Sequence, residues 1–418
     1  NYPHPLAVVD SKTGSLYRTK VQTVNANPYL QVDFGKGIYA KTTLGVNITD
    51  QNIYTYYSAL YDPNGVDSNG LGTDFTSKTS VITWTNVLGW NYTFNEKHAV
   101  NLMLGQEMQR KFYNYSVLEG TDFPFAGEGM RDLSTAGSWN DSAYYKSEAT
   151  LASYFVDAHY AYDDKYYVSG SFRRDGSSAF SYTGNQWQNF YSVGAGWLMS
   201  EEEFMKDITW LDMLKLKGSW GTLGNQNLDK AYPAEPLLTN AYSAVFGKPS
   251  AIYPGYQLSY LPNPRLRWEK VEAWEAGAEA NFFRNRLHFE GVYYKKTTKD
   301  LLAEVPGISG TVPGIGNLGS IENKGVELAI DWRDRIGDWG YSAGFNLTTI
   351  KNKVLSLVQE GYSIIAGDKS QSYTMAGYPI GYFYGYKVEG VYQTDEEIAR
   401  SPKNTLATVT PGDLKFKD

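Results

Sequence analysis

The stretch TLASYFVDAHYAYDDKYYVSGSFR (150–173) decides how this chain is read. Ala152, Tyr154, Val156, Ala158, Tyr160 and Tyr162 share one face of an extended strand. Ser153, Asp157 and His159 share the other, with Phe155 the main exception. Successive side chains of a strand point to opposite faces, so a period of two predicts strand rather than helix. Asp163-Asp164-Lys165 makes a tight turn, and a second alternating run follows over 166–173. The unit is a β-hairpin with one apolar and one polar face.

The pattern recurs on both sides of that hairpin. From 38 to 48, Ile38, Ala40, Thr42, Leu44, Val46 and Ile48 alternate with Tyr39, Lys41, Thr43, Gly45 and Asn47. Trp274, Ala276, Ala278, Ala280 and Phe282 alternate with Glu275, Gly277, Glu279 and Asn281, and Val326, Leu328, Ile330 and Trp332 with Glu327, Asp331 and Arg333. Similar runs lie near 82–94, 98–108, 190–199, 213–220, 286–294 and 339–347. Several reach ten residues or more, where globular strands run ~5–6 and membrane-crossing strands need ~9–11. Their apolar faces tend to end in Tyr or Trp, as an aromatic girdle at lipid headgroups requires.

Connection lengths sharpen the reading. Tight turns at Gly35-Lys36-Gly37, Asn95-Glu96-Lys97, Asp163-Asp164-Lys165, Arg284-Asn285 and Gly337-Asp338 alternate with long connections at about 49–80, 110–143, 176–188, 223–270 and 300–323. The segment 200–212 (SEEEFMKDITWLD) is the one longer connection on the short side and reads as a helical turn. Short turns on one rim and long loops on the other are the arrangement of an outer-membrane barrel. The expected fold class is all-β, a transmembrane antiparallel up-and-down β-barrel.

Composition bounds the alternatives. The 418 residues exceed the roughly 250–300 at which one soluble core usually divides, whereas a barrel grows by adding hairpins. Aromatics make up 15%, with 35 Tyr and 11 Trp, and Cys is absent, which removes thiol nucleophiles, disulfides and thiolate metal sites. A formal charge of −7 leaves no basic excess for a nucleic-acid backbone. Mean hydropathy is −0.43, and no apolar run approaches the ~18 residues of a membrane helix. That excludes an α-helical membrane protein but not a barrel, half of whose wall faces water. The chain opens at Asn1-Tyr2-Pro3-His4 without a signal peptide and stops at PGDLKFKD (411–418) without a closing strand, so residues 1–418 are expected to be part of one barrel domain of a longer protein.

Motifs for chemistry are weak. Gly314-Ile315-Gly316-Asn317-Leu318-Gly319 matches the dinucleotide glycine pattern, which needs a strand before it and a helix after it. Here Pro306, Gly307, Gly310 and Pro313 precede it and a strand follows, so a loop is expected. Asp62-Pro63-Asn64-Gly65-Val66-Asp67-Ser68-Asn69-Gly70 offers oxygens for calcium but lacks the calcium-loop register, and reads as a polar turn cluster. The histidines at 4, 98, 159 and 288 form no close ligand pair, and no nucleophile elbow occurs. No catalytic residue, metal or cofactor is expected. Asp157, Arg173, Glu275, Glu279, Glu327, Asp331 and Arg333 fall on polar strand faces and are expected to line a lumen. Exposed aromatics of the long loops, namely Trp139, Tyr144, Tyr145, Trp187, Tyr253, Tyr256 and Tyr260, are the candidate substrate contacts, since such rings stack on sugars or pack against peptides.

Eight stretches in order carry a family resemblance: NANPYLQVDFGKGIYAKTTLG (25–45), VSGSFRRDGSSAF (168–180), LKLKGSWGTLGNQ (214–226), LPNPRLRWEKVEAWEAG (261–277), VYYKKTTKDLL (292–302), NLGSIENKGVEL (317–328), GYPIGYFYGYKVEGVYQ (377–393) and PGDLKFKD (411–418). Together they resemble the SusC/RagA family of TonB-dependent outer-membrane transporters of Bacteroidetes. The resemblance implies a 22-stranded barrel in the intact protein, filled by an N-terminal plug and capped by a SusD-like surface lipoprotein. It also implies energy from TonB–ExbB–ExbD, contact with outer-membrane lipid, and import of a glycan, sometimes a peptide. Plug, TonB box and C-terminal strands are not seen in this sequence, and about a dozen wall strands are. A passive porin and a secreted or surface β-rich glycan-binding protein are the alternatives.

Overall fold

The computed structural model describes residues 9–10, 14–124, 131–140, 142–226, 228, 232–247, 251–305, 314–358, 361–367, 370–402 and 408–417. His4 and the run from Pro306 to Pro313 lie outside them. In chain order the strands are β1 (Leu16–Ala26), β2 (Tyr29–Gly35), β3 (Ile38–Tyr57), β4 (Leu71–Phe94), β5 (His98–Thr121), β6 (Ser138–Trp139), β7 (Ala143–Tyr162), β8 (Tyr166–Ser177), β9 (Trp187–Leu198) and β10 (Leu211–Asn225). There follow β11 (Leu238–Phe246), β12 (Ala251–Leu258), β13 (Glu269–Phe282), β14 (Leu287–Lys299), β15 (Leu302–Val305), β16 (Gly314–Asn317), β17 (Gly319–Ile336), β18 (Trp339–Thr348) and β19 (Lys351–Leu357).

One antiparallel sheet forms the wall, in the order β1-β3-β4-β5-β7-β8-β9-β10-β13-β14-β17-β18, with β2, β6 and β19 as side pieces. Its 15 strands less those three pieces leave 12 wall positions. Each position pairs with its neighbours along the chain, as the alternating turns and loops require. β1 and β2 ladder onto successive parts of β3 and are one strand broken at Asn27-Pro28, where proline has no N–H and its carbonyl accepts from Leu44 N at 3.0 Å. β18 and β19 do the same on β17. Among the described residues the two edges, β1/β2 and β18/β19, do not meet.

The turns follow from backbone preference. Asn95 and Glu96 have φ of 47° and 56°, and Asp163 and Asp164 of 53° and 52°, the paired positive values of the hairpin turns whose twist matches the strands. On the same rim, 3-10 turns at Met199–Glu201 and Glu203–Met205 supply the helical turn expected over 200–212.

The register proves the two-faced pattern. Ala40, Leu88, Leu104, Val156, Phe172 and Tyr191 form one row across six strands, while Thr43, Thr85, Glu107, Ser153, Asp175 and Gln188 form a row on the opposite face. The apolar row is not a core: Leu88 is 49% exposed, Leu104 46% and Tyr191 44%. A soluble sandwich would bury that face beneath a second sheet, and a band this broad left in water would be an aggregation surface. Lipid is the environment that fits it. Stacked rings close the band on the short-turn rim, with Tyr162 beside Tyr166 at 6.3 Å, Tyr166 beside Trp197 at 6.4 Å and Trp210 beside Phe282 at 5.8 Å.

Three ladders carry a ring folded over the glycine directly opposite: Tyr39 over Gly89, Phe155 over Gly105 and Trp187 over Gly176. A Cβ added to those glycines would stand 2.2 Å from Tyr39 Cζ, 2.0 Å from Phe155 Cζ and 2.7 Å from Trp187 Cδ2. Only glycine leaves room for the rings.

The structure corrects the connection lengths. β3, β4 and β5 run for 20, 24 and 24 residues, so much of the connections expected at 49–80 and 110–143 is strand. The ladder continues beyond the lipid band, but neither face meets lipid there, so the apolar alternation lapses while the hydrogen bonding does not. The connection at 223–270 holds the β11–β12 hairpin, and that at 300–323 holds β15, β16 and the start of β17.

Candidate functional site

The inner face of the wall is built from the polar half of each strand. Arg173 (β8) donates to Asp175 at 2.7 Å, Ser153 at 2.9 Å and Glu107 at 3.3 Å, and its guanidinium lies 5.3 Å from the Phe155 ring centroid. The network ties β5, β7 and β8 together and leaves Arg173 few donors for a ligand. Asp157 and His159 contact each other at 2.7 Å on β7. Glu275, Glu290, Glu327 and Lys217 line a concavity of about 490 Å³ over β10, β13, β14 and β17, where Lys217 donates to Glu290. Glu279 faces Lys215 in the register, Asp331 faces His288, and Arg333 sits opposite Ser342 near the short turn. All seven charged residues expected on the lumen side therefore carry the parity of this face.

A larger concavity of about 590 Å³ lies nearer the short turns, floored by Gly194, Gly196, Ser169 and Ala161 and edged by His159, Tyr167 and Lys215. Its width comes from the absence of side chains.

Nearer the mouth, the same face carries aromatic rings. Phe75 (β4) stacks on Tyr115 (β5) at 5.5 Å with 29° between planes, and Tyr115 on Tyr145 (β7) at 5.4 Å with 26°. Tyr113 adds a tilted ring 6.0 Å from Tyr115 and 6.3 Å from Tyr145. Ser77 and Ser147 neighbour these rings in the register, and one charged side chain, Lys111, lies one inner-face position below Tyr113. The result is a nearly uncharged aromatic platform across three strands. Only Tyr145 of the four was expected, because Phe75, Tyr113 and Tyr115 fall where a loop was read. The signal that finds them is parity carried upward from Glu107 and Thr85.

The platform is flanked by a shelf made of loops. Phe180, Phe190, Leu266 and Trp268 form a buried cluster with Ala179, backed by Leu151, Leu302 and Ile315. Trp268 Nε1 donates to Gln186 O at 3.2 Å, Asn185 Nδ2 to Leu266 O at 3.1 Å and Asn263 Nδ2 to Ile315 O at 3.3 Å. Glu269 closes it by accepting from Leu302 N at 3.0 Å and Asn225 Nδ2 at 3.1 Å. Arg267 pairs with Asp300 at 2.5 Å, which raises the Arg267 pKa through that hydrogen bond. The sequence LPNPRLRWEK is thus the body of a shelf on the lumen side, since Leu151 and Phe190 share the inner parity. A second cluster, Tyr54, Tyr56, Phe123 and Leu133, folds the connection after β5 onto β3 and β4.

The loop aromatics distribute unevenly. Trp139, Tyr144, Tyr145 and Trp187 lie on strands rather than in loops, because β5, β7 and β9 reach farther than apolar alternation shows. Tyr144 and Trp187 carry outer parity, and Trp187 stacks on Tyr154 at 6.2 Å beneath Arg174. Trp139 pairs opposite Gly120 and is exposed. Tyr253 and Tyr256 are exposed on β12. Tyr260 is buried, donates to Tyr232 O at 2.9 Å, and has its phenol pKa raised first by burial, then by Glu235 and Tyr145. It braces the mouth.

The former motif candidates resolve simply. Gly314–Asn317 is strand β16, paired with β15, and β17 rather than a helix follows. Asp62 caps the helical turn Pro63–Val66, accepting from Asn64 N at 3.0 Å and Ser15 Oγ at 2.8 Å. No cluster of three or more potential metal ligands occurs among the described residues.

Comparison with known proteins agrees with this geometry. The family model described as "TonB dependent receptor-like, beta-barrel" matches residues 6–415. TonB-dependent receptor P39 of Formosa agariphila is 30% identical over 402 residues, covering 91% of this chain and 36% of that protein. TonB-dependent receptor SusC of Bacteroides thetaiotaomicron is 28% identical, covering 76% and 34%. A solved structure of the RagAB peptide transporter aligns with a TM-score of 0.78 at 25% identity, over 91% of this chain and 41% of that one. The chain spans about a third of the length of the curated relatives it matches. With its lipid-facing apolar band, polar inner face and matching family model, the chain belongs to the TonB-dependent receptor β-barrel family, outer-membrane receptors rather than enzymes.

Proposed function

We propose that this wall is part of an intact importer that spans the bacterial outer membrane many times, with its long loops outside the cell. A plug fills the lumen, a SusD-like surface lipoprotein caps the mouth, and TonB–ExbB–ExbD supplies the work through a TonB box. The barrel contributes no chemistry on the substrate. Its ladders satisfy the backbone within lipid, and its inner face holds the ligand until the plug is displaced.

The substrate is an oligosaccharide, and the aromatic platform carries that reading. The flat apolar faces of pyranose rings stack on aromatic side chains, while the phenols of Tyr113, Tyr115 and Tyr145 and the hydroxyl of Ser147 meet sugar hydroxyls. The scarcity of charge suits a neutral ligand. A peptide substrate is the second reading, supported by similarity to the RagAB peptide transporter and by the carboxylates of Glu275, Glu290 and Glu327, which suit cationic side chains.

Calorimetry on the detergent-purified intact protein with its lipoprotein partner separates the two. Neutral oligosaccharides should bind, and the pair Tyr115→Ala and Tyr145→Ala should weaken them. Binding of peptides alone, unaffected by that pair, would overturn the glycan reading. The membrane reading has its own check: extraction should need detergent, and migration on gels should change on heating.

A further inference from the structure

The outer face of the wall carries a charge asymmetry that substrate import does not use. On β10 and β13 the apolar band ends, on the long-loop side, in Trp220 and Trp274, whose rings lie 5.8 Å apart, and a row of lysines continues the same level across β14, β17 and β19. Lys295 stands opposite Trp274 in the register, Lys324 opposite Lys295, and Lys351 opposite Lys324. The row is continuous across four strands and lies on the lipid-facing parity. Lys299 and Lys353 follow within four residues on the same face.

Height places the row. Lys295 lies eight residues from Leu287 at the short-turn end of β14. At about 3.4 Å per residue and a strand tilt of about 40°, that is roughly 20 Å along the barrel axis, near the far edge of an apolar band about 25 Å tall. The ammonium groups therefore sit at the headgroup level of one leaflet.

Local carboxylates do not neutralise them. Glu322 accepts from Lys295 and Lys324, each at 3.1 Å, and Glu272 accepts from Lys299 at 2.6 Å while also taking the Trp220 indole N–H at 3.2 Å. Five lysines against these two glutamates leave three positive charges in excess, and Lys351 and Lys353 are exposed. The comparable zone on β3, β4, β5 and β7 is balanced, with Lys78 paired to Asp50 at 3.8 Å and Arg110 to Glu148 at 2.5 Å.

We propose that the Lys295–Lys324–Lys351 row, with Lys299 and Lys353, is a docking site for the phosphate-bearing headgroup of an anionic lipid in the outer leaflet. Several ammonium groups converge on one phosphate, the Trp220–Trp274 pair packs against the acyl-chain boundary, and Glu322 holds two of the lysines in place. The site would orient one side of the barrel toward phosphorylated lipid and leave the β3–β7 side indifferent to it.

The test uses the intact protein in nanodiscs of phosphatidylcholine doped with phosphorylated lipid A, and counts retained lipid A by native mass spectrometry. The discs present lipid on both leaflets, so the result does not depend on which rim faces outside. Wild type should retain lipid A, and enzymatically dephosphorylated lipid A should not be retained. Lys351→Gln with Lys353→Gln, which leaves the Glu322 pairs intact, should weaken retention by about fivefold per lysine. Lys295→Arg with Lys324→Arg should preserve it. Equal retention of phosphorylated and dephosphorylated lipid A would overturn the proposal. So would displacement by inorganic phosphate as readily as by excess lipid A, or undiminished binding by the Lys351→Gln/Lys353→Gln variant.

Discussion

The inner face over β4, β5 and β7 differs in kind from the inner face over β10, β13, β14 and β17. On the first, rings stand side by side near the mouth, and the main charged network, around Arg173, is closed on itself. On the second, Glu275, Glu279, Glu290, Glu327 and Asp331 share the face with Lys215, Lys217 and Lys296, and with Arg333 near the short turn. One half offers contact area and the other a field. Stacking acts at van der Waals range and is insensitive to salt. The carboxylate field reaches farther but is screened beyond about 10 Å at 0.1 M salt. A ligand gripped by the first half should therefore ignore ionic strength, and one guided by the second should not.

The shelf between the halves offers the strongest way to break the contrast. Trp268→Ala should cost about 3–5 kcal/mol, because the indole is buried among Phe180, Phe190 and Leu266. Hydrogen exchange confined to 262–268 and 178–186 would report it. Unchanged protection there would mean that the shelf is not a cooperative unit. Next in size, Tyr115→Ala or Tyr145→Ala should weaken a neutral oligosaccharide by about tenfold each, the effect of removing one stacked ring at about 1.4 kcal/mol. Glu275→Gln with Glu327→Gln should leave the same ligand within about twofold. The reverse ranking would hand the site to the charged half.

Smaller again, Glu275→Gln with Glu279→Gln should slow association of a cationic peptide a few-fold at low salt and do nothing at 1 M, where screening falls to about 3 Å. A loss that survives 1 M salt would mean direct contact rather than steering. The mildest effect concerns the short-turn rim. The Glu202 carboxyl accepts from the Tyr166 phenol and from Trp197 Nε1, which hold its pKa below the usual carboxylate value. A lowered folded-state pKa means that its contribution is present above the unfolded value and is lost as pH falls through the folded one. Trp197 fluorescence should therefore titrate on the acid side of pH 4.5, and Glu202→Gln should erase that transition. A transition that persists in the variant would assign it elsewhere.

Legibility in the sequence follows where solvent changes. Between the girdles, one face meets lipid and the other water, so residues such as Leu104 and Glu107 announce their sides and the wall positions can be read off. Above the band the same strands continue in a uniform medium, and the signal stops although the ladder does not. That is why alternation does not reveal Phe75, Tyr113 and Tyr115 and assigns Tyr144 and Trp187 to loops. The burial of Tyr260 was unreadable for another reason. It depends on a hydrogen bond to Tyr232, set by tertiary folding of a long connection. The seven charges expected on the lumen side share one face of the sheet because parity alone assigns them.

The three rings laid over glycines act as a proofreading device for the wall. A strand that slips by one residue turns its side chains to the wrong face, an error that lipid punishes at once. A slip by two keeps every face correct and would pass that inspection. It would, however, bring Phe155 against Met103 or Glu107 instead of Gly105, and Tyr39 against Val87 or Asn91 instead of Gly89. Neither partner has the vacant space the ring needs. The glycines thus reject the one misalignment that hydrophobicity cannot detect, on ladders spread across β3 to β9.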